Sequence, residues 1–222
     1  VQLSHGSDVF RWNLHGNGQF SVESMYSALV QSDVPADNKK KKIWKMKIPL
    51  NNKIFAWYLR RGVILTKDNL IRRNWHGSSQ CVLCHHDETI KHLFFQCKLA
   101  RSIWSVIQIA SGLYPPCSVA NLFGNWLHGI DHRFRTLLRV GELVIIWSLW
   151  LCRNDKVFND KSTSLFQVIY RCTRTLRLWS SLQRVENRDL FTEVCTRLKA
   201  TARDTFTQYG WQHDFRIGTP PL

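Results

Sequence analysis

Four residues between positions 81 and 97 have the types and the spacing to hold a metal ion: Cys81, Cys84, His92 and Cys97. Cys81 and Cys84 stand two residues apart, so a tight turn can aim both sulfurs at one point. A loop of seven residues then lets the chain come back with His92, and Cys97 follows four residues later. The pattern C-x2-C-x7-H-x4-C offers three soft thiolates and one imidazole, a set that suits a single, closed, tetrahedral Zn²⁺. His85 and His86 are poor ligands for the same ion, because side chains directly after Cys84 rarely converge on the metal that Cys84 already holds. With four protein ligands no position remains for a water, and no carboxylate is presented as a general base, so the zinc is expected to be structural. Glu88, inside the loop, reads as a solvated residue. The bland alternative is four unrelated buried side chains.

Elements on both sides must position this cluster. "DVFRWNLHGNGQFSV" alternates apolar and polar residues around a turn-forming "HGNG", which predicts a small β-hairpin with Phe10, Trp12 and Leu14 facing Phe20 and Val22. "VESMYSALVQ" follows at helical spacing, with Ser21 as a cap. "SDVPADNKKKK" reads as a flexible connector. "IWKMKIPLNNKIFAWYLRRGVIL" predicts a short helix, a break at Pro49 and a second helix. Thr66 starts another short helix, and "KLARSIWSVIQIA" continues after Cys97 as a helix burying Leu99, Ile103, Trp104 and Ile107. "SGLYPPCS" cannot be helical throughout and marks a boundary. Beyond it, three amphipathic stretches predict a helical bundle, with Trp147 and Trp150 in a packed stripe. The fold class expected is therefore mainly α. A small N-terminal β-hairpin leads, short helices surround the CCHC knuckle, and a C-terminal helical bundle follows. The expected domains are 8–110, 118–210 and a tail, 211–222.

The chain carries 31 Lys and Arg against 16 Asp and Glu, a formal net charge of +15 over 222 residues. Such an excess favours polyanions, nucleic acid before an anionic membrane. Arg60, Arg61, Lys67, Arg72 and Arg73 precede the knuckle, interleaved with Trp57, Tyr58 and Trp75. Guanidinium groups pair with phosphate and aromatic rings stack on bases, so the cluster suits single-stranded or looped nucleic acid. The basic residues are read as phosphate contacts, and Trp57 and Tyr58 as core. Lys39 to Lys42, with Lys45 and Lys47, read equally as a phosphate clasp or a solvated linker. Arg171, Arg174 and Arg177 lie on one helix face, more commonly a solvated one.

Seven cysteines, four of them (Cys117, Cys152, Cys172, Cys195) scattered singly, point to an intracellular, reducing compartment, nucleus or cytoplasm, and not to a secreted disulfide framework. The N-terminus shows no signal sequence and no initiator Met, which reads as a fragment or processed piece. The most apolar run, "VGELVIIWSLWLC", is too short for a bilayer and contains Glu142. No membrane association and no small-molecule substrate are expected.

Taken together, "FRWNLHGNGQFSVESMYSAL", "IWKMKIPLNNKIFAWYLRRGVILTKDNLIRRNW" and "CVLCHHDETIKHLFFQCKLARSIW" resemble the zinc-binding domain found downstream of reverse transcriptase in plant LINE-type retrotransposons. The likeness runs from about Asp8 to Trp104. "IIWSLWLCRND" and Gly210-Trp211 are similar to sequence that follows this domain. The resemblance implies a non-catalytic accessory part of a retroelement polyprotein, with zinc on Cys81, Cys84, His92 and Cys97, that helps to grip RNA or DNA. No adjacent Asp pair exists for a polymerase, and no endonuclease or ribonuclease H carboxylate set is visible, so the chain is not expected to be an enzyme. The other reading is a helical scaffold or protein-interaction domain, a degenerate or reused remnant whose zinc is purely architectural.

Overall fold

The computed structural model describes residues 12–13, 16–21, 24–25 and 43–209. The chain divides into two compact units, Val1–Lys41 and Lys42–Leu222.

In the first unit the expected β-hairpin is corrected: no β-strand occurs among the described residues, and Phe10, Leu14 and Val22 lie outside them. The "HGNG" segment does turn. The Trp12 backbone N–H donates to the Gly18 carbonyl at 2.8 Å, and the Asn17 side chain accepts from the Gln19 amide at 2.9 Å. Side-chain contacts also hold the turn. The Trp12 and Phe20 rings meet edge to face at 4.9 Å, and the Trp12 indole donates to Ser24 Oγ at 2.8 Å. Ser21 caps as expected, its hydroxyl accepting from the Ser24 amide at 3.1 Å. The connector with Lys39 to Lys42, and the C-terminal Gly210-Trp211 and tail, also lie outside the described residues.

The described part of the second unit is helical. After a helical turn at Ile43–Lys45, Pro49 starts α1 (Leu50–Arg60), which buries Asn52, Phe55, Ala56 and Leu59, the i, i+3, i+4, i+7 stripe of one face. Gly62, at φ +71°, ends it: its amide and that of Val63 take up the Leu59 and Tyr58 carbonyls. The short α2 (Lys67–Ile71) begins after Thr66, and α3 (Lys98–Ser111) ends on the left-handed Gly112. Past Pro115-Pro116, Ser118 caps α4 (Val119–Phe123). The three long helices follow: α5 (His132–Asn159), α6 (Leu165–Ser180) and α7 (Val185–Tyr209). A reciprocal box between Ser164 and Gln167 opens α6.

Helices α5, α6 and α7 pack on one another, α6 and α7 pack on α3, and α5 also packs on α1 and on the turn at His92–Gln96. One buried apolar core runs from Ile43 to Phe206. At its centre Phe55 meets Trp147 edge to face at 4.9 Å and Phe94 at 6.3 Å, while the Trp104 indole donates to the Phe94 carbonyl at 2.9 Å. The segment between α2 and α3 that carries the cysteines is thus built onto α1, α3 and α5. No described helix is long and apolar enough to cross a membrane.

Candidate metal centre

The first two cysteines sit on a tight turn. His85 and Cys84 donate their amides back to the Cys81 carbonyl at 2.8 and 3.4 Å, and the Cys81 amide donates to the His86 carbonyl at 2.6 Å. His85 takes a left-handed conformation, φ 63°, to make the reversal. Flanking it, Gln80 and Asp87 form an isolated antiparallel bridge, and the Glu88 amide donates to the Ser79 carbonyl at 2.8 Å. Thr89 then starts the return: its hydroxyl accepts from the His92 amide at 3.0 Å. His92–Gln96 forms a π-helical turn, closed by the Cys97 amide on the His92 carbonyl at 2.6 Å. The wider turn brings residues five apart, His92 and Cys97, to the same side. Cys97 occupies the capping position of α3, where the helix dipole favours a thiolate.

These segments bring one ligand atom from each of Cys81, Cys84, His92 and Cys97 within 4.8 Å of the others. Cys84 Sγ lies 3.0 Å from His92 Nε2 and 3.6 Å from Cys97 Sγ. A tetrahedral zinc, with bonds of about 2.3 Å to sulfur, sets sulfurs about 3.8 Å apart, so the cluster needs little adjustment to close on the ion. Cys81 and Cys97 are fully buried. The Cys97 thiol donating beside it holds Cys81 down to about 5, while Cys97 is held well up, by its bond to Cys81 and then by burial. Two adjacent sulfurs cannot both ionise in this place without a cation, and a divalent ion removes that conflict. The donor set therefore fits Zn²⁺.

His85 and His86 stay outside the cluster and are exposed. The His86 ring stacks on His92 with centroids 5.8 Å apart, and its Nδ1 lies 3.1 Å from the Cys84 carbonyl.

Glu88 corrects the expectation of a solvated loop residue. It is fully buried and paired with Arg153 of α5, whose Nη2 lies 2.8 Å from Oε1 and whose Nε reaches both carboxylate oxygens at 3.1 and 3.2 Å. The Lys67 amide donates to the same carboxylate at 3.0 Å. The Arg153 guanidinium also lies over the Trp150 ring at 5.1 Å. Nothing in the loop's own sequence names this partner, 65 residues away; the one available signal is a single arginine ending the apolar "IIWSLWLC" run.

Of the residues read as phosphate contacts, Arg61, Arg72 and Arg73 are exposed and Arg60 is half-buried. Lys67 is corrected: it is buried and its ammonium donates to the Gln80 carbonyl, so it braces the knuckle from inside. Arg61 stacks over Trp57 at 4.5 Å, and Arg72 bonds Asn69 at 3.0 Å and faces Asp68 at 3.6 Å. Tyr58, expected in the core, is exposed, as is Trp75. Arg171 pairs with Asp155 at 2.8 Å, whereas Arg174 and Arg177 face solvent.

Residues 20–104 match the family described as zinc-binding in reverse transcriptase. That segment is similar to the zinc-binding domain of reverse transcriptases. Its span includes the four clustered ligands and ends at Trp104, the indole that ties α3 to the π-helical turn. The chain is also similar to a protein of Arabidopsis thaliana named "Putative ribonuclease H protein", 30% identical over 101 residues. The match covers 44% of this chain and 16% of that protein, so the chain spans a small part of its relative's length. No solved structure matches the chain. The matched family is a zinc-binding region and not the catalytic reverse-transcriptase domain.

Proposed function

We propose that the chain is a non-catalytic accessory module of retrotransposon origin, in which one structural Zn²⁺ on Cys81, Cys84, His92 and Cys97 shapes a basic surface that grips nucleic acid. The observation that carries this reading is the convergence of three sulfurs and one imidazole inside the segment that matches the zinc-binding family. Residues 8–110 would form the zinc-binding part, 118–210 the helical support and 211–222 a tail. Seven free cysteines suit a reducing compartment.

Two surfaces support the nucleic-acid part. The first is the exposed face with Arg61, Arg72 and Arg73, where Tyr58 and Trp75 also stand open to stack on bases. The second is a cleft of about 610 Å³ between the segment before α1, the start of α5 and the α6–α7 turn. Lys45, Lys47, Arg139, Arg184 and His132 line it, against one carboxylate, Glu186. Gln183 holds its wall, donating to the Lys47 carbonyl at 2.5 Å.

The test is zinc content by mass spectrometry together with binding to poly(U) across a salt series. The zinc-loaded chain is expected to bind with a steep loss of affinity as salt rises. Replacing Arg72 and Arg73 by Gln should lower the log–log salt slope by about 0.7 for each phosphate contact removed. A folded, zinc-loaded chain that ignores poly(U) at low salt would overturn the nucleic-acid reading and leave the scaffold reading standing.

A further inference from the structure

The bundle holds a cavity of about 360 Å³ whose walls come from α3, α5, α6, α7 and the loop before α5. Ile107, Trp126, Phe134, Ile145, Ile169 and Val194 make it largely apolar. Its size is that of a small-molecule site. Two features of α5 separate it from a packing defect. Glu142 lines it and is only 2% exposed, yet its Oε2 has no hydrogen-bond partner among the described residues. A buried carboxyl oxygen left without a partner costs free energy that an apolar residue at the same place would not. Beside it, Gly141 also lines the cavity, and a Cβ built there meets nothing within 4 Å. Glycine in the middle of a 28-residue helix is unfavourable relative to alanine, and here it leaves space that any larger side chain would fill.

We infer that this cavity is a binding site for a small, neutral, mostly apolar molecule bearing one hydroxyl or amide group, which meets the carboxyl of Glu142. Burial pushes that carboxyl well up, and Arg139, one turn earlier, pulls it down less. A carboxyl oxygen accepts and, when protonated, donates, so a hydroxyl or amide partners the open Oε2, whereas a hydrocarbon leaves it bare. The exposed Glu193 and Arg197 also line the cavity and are free to sort ligands at its solvent side.

The experiment uses the full zinc-loaded chain with 1-naphthol and naphthalene as probes, their binding read by fluorescence. Wild type should bind naphthol saturably and about tenfold more tightly than naphthalene, the worth of one hydrogen bond in a buried place. Glu142→Leu should bring the two probes within about twofold of each other, and Glu142→Gln, which keeps a donor and an acceptor, should retain the preference. Gly141→Leu, which fills the space without meeting a neighbour at Cβ, should abolish binding of both while leaving the melting temperature unchanged or higher. Absence of saturable naphthol binding by wild type would overturn the inference. So would a hydroxyl preference that survives Glu142→Leu, or binding indifferent to Gly141→Leu.

Discussion

Glu88 in the knuckle and Glu142 in the bundle are both withdrawn from water, and their surroundings treat them oppositely. Glu88 meets a guanidinium through both oxygens and accepts a backbone amide as well. Glu142 has one oxygen with no partner among the described residues and an apolar cavity beside it. The knuckle adds to its apolar packing a few directional, charged contacts, each of which fails if one member is removed. The bundle is held by many apolar contacts that tolerate a void. A carboxylate in the first region locks structure, whereas a carboxyl in the second can be spared for a ligand.

Removing the metal from this comparison should have the largest effect. Cys97→Ser deletes a buried ligand while leaving a good N-cap residue at the start of α3, and it should abolish stoichiometric zinc and lower stability by several kcal/mol, on the order of 3 or more. His85→Ala and His86→Ala should leave zinc content unchanged, and mass spectrometry of the three variants decides between His92 and its neighbours. Next comes the ion pair. Arg153→Met strands a buried carboxylate and should cost about 3–5 kcal/mol in chemical denaturation, with weaker zinc retention as the knuckle loosens. The double change Arg153→Met with Glu88→Leu should recover most of the loss.

Glu142 should behave in the opposite sense, with a smaller effect. Glu142→Leu should raise stability at neutral pH by about 1–3 kcal/mol, since it removes an unpartnered polar group. The sign of its pH dependence follows from the raised folded-state value. Wild-type folding retains this group's contribution below the ordinary value of 4.5 and loses it as pH rises toward the folded one. The advantage of the leucine variant should therefore shrink as pH is lowered toward 4.5, in denaturation curves taken across that range.

Local order was largely legible in the residues. Pro49 precedes α1, α3 stops inside "SGLYPPCS", and Cys81, Cys84, His92 and Cys97 come together as their spacing suggests. What escaped depends on distant partners. Lys67 reads as a surface cation because nothing nearby says that the Gln80 carbonyl will take its ammonium. Glu88 reads as solvated because Arg153 lies far along the chain. The N-terminal alternation around "HGNG" predicts strands, yet the described residues there close a turn through one backbone bond and a Trp12–Phe20 contact. The cavity beside Gly141 leaves no mark in the apolar periodicity, since helices that pack fully and helices that leave a gap share the same pattern.

The long reach of Arg153 sets an order of assembly. A ribosome making about 5–20 residues per second releases the whole matched segment, 20–104, several seconds before it releases α5. Through that interval the four metal ligands are already present, but the carboxylate in the loop between them lacks the Arg153 guanidinium that it pairs with in the finished fold. The early product is thus competent to meet zinc and not yet competent to bury its own loop, and a gene fragment that stops at the family boundary would stay in that state permanently.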